Sequence, residues 1–248
     1  MHLLRRFATL KPNDALYSQV RDAYFKVFND PTLVPLYIRL GFHDAGTFDI
    51  SDRSGGPHGS IRFPKQLKFN VNKGLEKGMP SLEILKNQFQ QVSYADLIQA
   101  GVAAAVELAR GPLIHFKFGR VDAITDAEVP PDGRIPFPQD DLAKLRKTFS
   151  RMGLDDTDLV VLSGAHTVGR DSFVDKPWTH DNRIFNNSYF VELLKKIADP
   201  SLVRLPSDKA LLSSNETKEL VVKFGNDETE FFRQYAFSQQ KLSELGNS

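Results

Sequence analysis

Arg39 and His43 stand four residues apart in "YIRLGFHDAGT", which runs from Tyr37 to Thr47. On a helix that spacing places both side chains on one face, one turn above the other. Leu36 and Leu40 mark a neighbouring apolar face, Phe42 flanks the histidine, and Gly46 is a helix stop. A neutral imidazole can take and return a proton near neutral pH, and a guanidinium one turn away lowers its pKa and keeps it neutral. The same cation can stabilise negative charge developing on a reacting oxygen. Spacing alone leaves a plainer reading open, in which Arg39 pairs with an acid and His43 is only packed.

A second histidine, His166, lies in "LVVLSGAHTVGR" after three small residues, Ser163, Gly164 and Ala165, where something large could approach the backbone. A histidine leaving a helix in such a place suits a metal ligand, whose other ring nitrogen then needs a carboxylate. Asp208, in "RLPSDKALL", is a candidate, although no periodicity links the two. The other four histidines, His2, His58, His115 and His180, read as surface or packing residues.

Helices must position these groups. Ser93 to Asp96 reads as a capping box that opens the alanine-rich "SYADLIQAGVAAAVELARG". "DDLAKLRKTFSRMG" carries Leu142, Leu145, Phe149 and Met152 on one face. "DDTDLVVLSGAH" is a short acid-capped helix leading to His166, "SYFVELLKKIADP" is expected to stop at Pro200, and "DETEFFRQYAFSQQKLSELG" is a long last helix. Sustained period-two alternation is absent, so the chain reads as mainly α. Two loops, 49–66 and 119–140, are rich in Gly, Pro and Asp, and the second is a natural seam between halves near residue 140.

The composition is that of an ordinary globular chain: 248 residues, 41% hydrophobic, 25% charged. A net charge of +1 gives no footprint for nucleic acid. The absence of cysteine excludes disulfides, thiolate catalysis and zinc-thiolate sites. No transmembrane segment is visible, since the longest apolar run, Leu97 to Leu108, is too short. The opening "MHLLRRFATL" has two arginines and no acid before Asp14, which reads as a short mitochondrial presequence; the cytoplasm and a plastid are the alternative destinations.

Taken together, the chain resembles the haem peroxidases of the plant, fungal and bacterial superfamily, and most closely their intracellular class, that of ascorbate peroxidase and cytochrome c peroxidase. The stretches that carry the resemblance are "PLYIRLGFHDAGTFD", "SGGPHGSIRF", "FNVNKGL", "VSYADLIQAGVAAAVE", "FKFGRVDA", "PPDGRIP", "LVVLSGAHTVGR", "KPWTHDNRIFNNSYFVELL" and "LPSDKALL", in the family's order. The resemblance implies a mainly α, two-lobed haem-peroxidase fold with one haem b in the crevice. Residues 1–12 would be the targeting tail, 13–140 the distal lobe and 141–248 the proximal lobe. It implies reduction of hydrogen peroxide to water through a ferryl intermediate. His43 would move the peroxide proton, Arg39 would stabilise the departing oxygen, and Asn72 would hold His43. His166 would ligate the haem iron with Asp208 behind it, and Trp178 would stack beside it. Phe42, Pro136, Ser163 and Ala165 would contact the haem.

The chain also departs from the intracellular pattern. Phe42 replaces the usual distal tryptophan, as in the secreted classes. The segment from Gly169 to Trp178 is short, with Asp171 where ascorbate-using members place an arginine, and Asp30-Pro31-Thr32 lacks their lysine. The electron donor is therefore ascorbate or another small reductant, with cytochrome c, served by Trp178 as a radical relay, as the alternative. Thr167, Thr179, Asp181, Ile184 and Asn186 match the proximal potassium site of ascorbate peroxidases, with an aspartate and an asparagine exchanged. From other functional classes, a low-turnover haem-binding peroxide sensor and a cofactor-free helical module are the rivals.

Overall fold

The alanine-rich helix Tyr94–Leu108 is apolar around nearly its whole circumference, and a helix of that kind is buried on all sides. In the computed structural model, which describes residues 12–247, it forms the centre of the first half. That half contains α1 (Pro12–Val27), α2 (Leu33–Ala45), the single turn α3 (Pro64–Leu67), α4 (Met79–Gln88) and the central α5 (Tyr94–Leu108). The second half contains α6 (Leu142–Arg151), α7 (Asp156–Ser163), α8 (Ser188–Leu194), α9 (Pro206–Ala210), α10 (Asn215–Asn226) and α11 (Glu228–Ser243). Among the described residues there is no strand, only an isolated bridge between Arg170 and Pro177. The expected targeting tail lies outside the described residues up to residue 11. No described helix is long and apolar enough to cross a membrane.

Helix α2, which carries Arg39 and His43, packs along α5. The approach is close because Gly101 faces the rings of Tyr24 and Tyr37; a Cβ there would come within 2.6 Å of Tyr37. Ser93 caps α5 by accepting from Asp96 N, but the expected reciprocal half of the box does not form. The Asp96 carboxylate instead accepts from Gly119 N at 2.9 Å and from buried Arg120 at 2.8 Å. The free amides of Tyr94 and Ala95 go to Asp122. Long-range partners thus replace the local box and tie the 119–122 segment to the start of α5.

Helix α7 has a complete box: Asp155 Oδ1 accepts from Asp158 N at 3.0 Å and Asp158 Oδ2 from Asp155 N at 3.2 Å. Asp158 also anchors α11 through Ser238 and Lys241. Helix α8 ends at Leu194, earlier than Pro200 would dictate. Lys195 is extended, its carbonyl is taken by Arg204, and Val203 N bonds Pro177 O, so tertiary contacts draw the chain away. Helix α11 packs on α7 and on α2, so the halves that meet near residue 140 share a continuous core.

Candidate active site

A cleft lies between α2 on one side and α6, α7 and the turn after α7 on the other. Arg39, Phe42, His43, Pro136, Ser163, Ala165, His166, Trp178 and Asp208 all line it. Asn72 stands behind His43.

On the α2 side, His43 Nδ1 lies 2.7 Å from Asn72 Oδ1. The amide is oriented by its own nitrogen, which donates to Gln66 O at 2.7 Å. Its oxygen must therefore accept, so His43 carries its proton on Nδ1 and keeps a lone pair on Nε2. Burial and the Arg39 guanidinium push the His43 pKa down to about 3, and the Asn72 bond recovers only part of that. The ring is a neutral base at physiological pH. Arg39 is held by Lys73 O at 2.9 Å and Val71 O at 2.6 Å, which leaves the rest of its five N–H groups for the cleft. Arg39 sits beside His43 as the spacing expects, and backbone carbonyls, not the acid of the plainer reading, hold it in place.

On the opposite side, the helix capped by Asp155 ends at Ser163 and a single tight turn, Gly164–Thr167, delivers His166. Small residues matter here for a different reason from the one the sequence suggests at Gly164. The rings of Phe231 and Phe190 pack where its Cβ would be, at 2.6 and 2.8 Å, so this glycine admits core aromatics and not a ligand. Ser163 and Ala165 do face the cleft. His166 Nδ1 lies 3.1 Å from Asp208 Oδ1, which leaves Nε2 free. Trp178 stacks on the ring at 4.2 Å between centroids and 15° between planes, and its indole N–H donates to Asp208 Oδ2 at 2.9 Å.

Asp208 is buried, and burial alone would raise its pKa. His166, the Leu205 amide and the indole nevertheless hold it below the ordinary carboxylate range. Tyr189 also donates to Oδ1, at 2.9 Å; burial and the adjacent carboxylate raise the phenol's pKa well above normal and keep that proton on it. Sequence reading missed Tyr189. It stands in a quoted helix, "SYFVELL", but nothing local marks which of that helix's aromatics meets Asp208.

The profile of one family, described as Peroxidase, matches residues 16–227. The chain belongs to the peroxidase family. Similar proteins include L-ascorbate peroxidase 5, peroxisomal, of Arabidopsis thaliana, 47% identical over 216 residues, 86% of this chain and 76% of that protein. L-ascorbate peroxidase 2, cytosolic, of the same plant is 43% identical, covering 86% and 84%. L-ascorbate peroxidase 1, cytosolic, of Oryza sativa subsp. japonica is 42% identical over 222 residues, covering 88% and 87%. These likenesses place the chain among the class I haem peroxidases, with the mainly helical fold expected of them.

The cleft of this peroxidase fits a haem. It is an apolar slot with one imidazole on each side, and in each ring Nδ1 is occupied while Nε2 is free. Of the residues expected at the potassium site, Thr167, Thr179 and Asn186 lie together. Thr167 Oγ1 donates to Asn186 Oδ1 at 2.8 Å, Thr179 Oγ1 donates to Thr167 O at 2.9 Å, and Asn186 Oδ1 also takes Ser188 N. Asp181 is exposed, and Ile184 enters only through the turn its amide closes on Asp181 O. These bonds bring the oxygens of Thr167, Thr179 and Asn186 together, with Asp181 at the surface beside them. At the cleft mouth Arg170 is locked onto Asp175, and the Asp171 carboxylate accepts from the amides of Phe173 and Val174. Of the plainer histidines, His180 pairs with Asp199 at 3.0 Å.

Proposed function

We propose that this class I peroxidase reduces hydrogen peroxide with ascorbate as its small-molecule reductant, using His43, Arg39 and Asn72 on one side of the haem and His166, Asp208 and Trp178 on the other. The observation that carries the reading is the pair of imidazoles lining one cleft, each anchored through Nδ1 by a different kind of partner. Haem b would be held by His166 Nε2, with Phe42, Pro136, Ser163 and Ala165 against its faces and edges. Bound there, its iron supplies the redox centre at which the peroxide O–O bond is cleaved.

The chain's own residues handle the proton and the charge. His43 Nε2 takes the proton from one peroxide oxygen and returns it to the other, so that water leaves. Asn72 keeps that lone pair available by fixing the tautomer. Arg39 stabilises the negative charge that gathers on the departing oxygen. The Asp208 carboxylate draws on the Nδ1 proton of His166, which strengthens the ring as a ligand.

The names of its relatives support ascorbate, whereas at the cleft mouth Arg170 is paired with Asp175 and Asp171 is an acid. A second reading, with cytochrome c as donor, is favoured by Trp178 stacked on His166. Steady-state turnover with ascorbate and with reduced cytochrome c, in the parent and in Trp178→Phe, separates the two. Ascorbate turnover that survives the substitution while cytochrome c oxidation is negligible in both supports the proposal; cytochrome c turnover that is fast in the parent and lost in the variant replaces it. The acid-free segment before Asp14 supports a mitochondrial destination, which imaging of the tagged chain against organelle markers tests.

A further inference from the structure

One guanidinium outside the two histidine sites bonds the backbone next to two of the segments that line the cleft. Arg151 closes α6, two residues beyond Phe149, which lines the cleft. Its Nη2 donates to Gly46 O at 2.8 Å, and Gly46 caps α2, the helix of Phe42 and His43. The same nitrogen donates to Arg134 O at 2.6 Å, and Arg134 leads directly into Ile135, Pro136 and Phe137, a second lining segment. Nη1 donates to Thr47 O at 3.0 Å and to Phe48 O. The backbone closes the arrangement, since Arg151 O accepts from Ile50 N at 2.9 Å. Arg134 braces the loop from its other side through Thr47 O and Ser54, with Asp49 and Asp52 nearby at 3.8 and 3.9 Å.

A cation suits the carbonyl-rich end of α2. A planar fork holds carbonyls from two segments in a fixed geometry, which a lysine ammonium, a point charge on a flexible stem, does not impose. We propose that Arg151 is a positioning residue: it joins α6, the end of α2 and the 134–137 segment into one frame, and so fixes how His43 and Pro136 stand relative to each other along the cleft.

The proposal rests on the peroxidase reading only in its kinetic arm. Hydrogen–deuterium exchange of the holoenzyme, the rate of haem loss and the peroxide reaction rate per bound haem are measured for the parent, Arg151→Gln and Arg151→Lys. Expected are faster exchange in 46–50 and 134–137 together, several-fold faster haem loss, and a peroxide rate lowered roughly tenfold, because small misplacements of reacting groups carry penalties of that order. Arg151→Lys should follow the same direction, since it keeps the charge and loses the fork. If Arg151→Gln does not fold, the lysine variant decides alone. A lower melting temperature with haem loss and peroxide rate unchanged, or faster exchange confined to 142–151, overturns the proposal. Normal exchange coupling with no peroxidase activity in the parent would instead overturn the reading of function.

Discussion

The two histidines of the cleft have the same side chain, the same anchored nitrogen and opposite surroundings. His43 is buried and has a guanidinium beside it, so its pKa falls to about 3, and the neutral amide paired with it recovers only part of that. His166 is paired with a buried carboxylate that also takes hydrogen bonds from an indole, a phenol and a backbone amide. An amide oxygen can orient a ring without sharing its proton strongly, which leaves Nε2 a free and weak base. A carboxylate draws on the proton and makes the ring a stronger donor to a metal. The difference teaches that surroundings fit one side chain to two proposed roles: burial and Arg39 keep His43 neutral and suited to moving a proton, whereas the carboxylate at Nδ1 suits His166 to a metal.

Removing the shuttling ring is the most severe way to break this comparison. His43→Leu should slow the peroxide reaction by about 10²–10⁴-fold while haem stays bound through His166, read by stopped-flow mixing and the absorption spectrum. Loss of haem in that variant would mean that the two rings do not have separate roles.

Changing pH sharpens the comparison. The folded-state pKa of His43 lies below its ordinary 6.5, at about 3, so the unfolded chain binds the proton more readily. Its contribution to stability is fully present above 6.5 and is lost as pH falls toward about 3. The peroxide reaction should likewise keep its rate well below pH 6.5, as far as the fold survives. Asn72→Asp would give His43 the kind of partner His166 has, raise its pKa, and move the acid limb of the rate profile to higher pH. An unshifted limb would show that the partner at Nδ1 is not what sets the proton affinity.

The smallest effect concerns how the two sides are held. Helix α7 has a full box at its start, whereas α2 begins at Thr32 with no side-chain cap and relies on burial against α5. Asp155→Ala should therefore cost about 1 kcal/mol of stability by denaturant titration. Thr32→Ala should cost a few tenths at most.

Much of this molecule is legible in local pattern. The acids before α7, the 3.6-residue periodicity of α6 and the apolar circumference of α5 each name a helix. Arg39 and His43 declare a shared face through their spacing. The failures have one cause. Asp96 turns from its expected box to Arg120, Lys195 leaves its helix before Pro200, and Gly164 admits two phenylalanine rings, each because of a residue distant in sequence. Resemblance, not periodicity, pairs Asp208 with His166, since 42 positions separate them.

The sequence by itself determined the helices, the histidines and the family, because helix periodicity, capping and motif order act over a few residues at a time. Only the tertiary structure decided which carboxylate, amide or carbonyl each key side chain meets. Tyr189 on Asp208, Gln66 behind Asn72 and Arg151 on the carbonyls of Gly46 and Arg134 were invisible until the chain closed. Burial is what gives those meetings their force, since a charge or lone pair removed from water must find its partner within the fold.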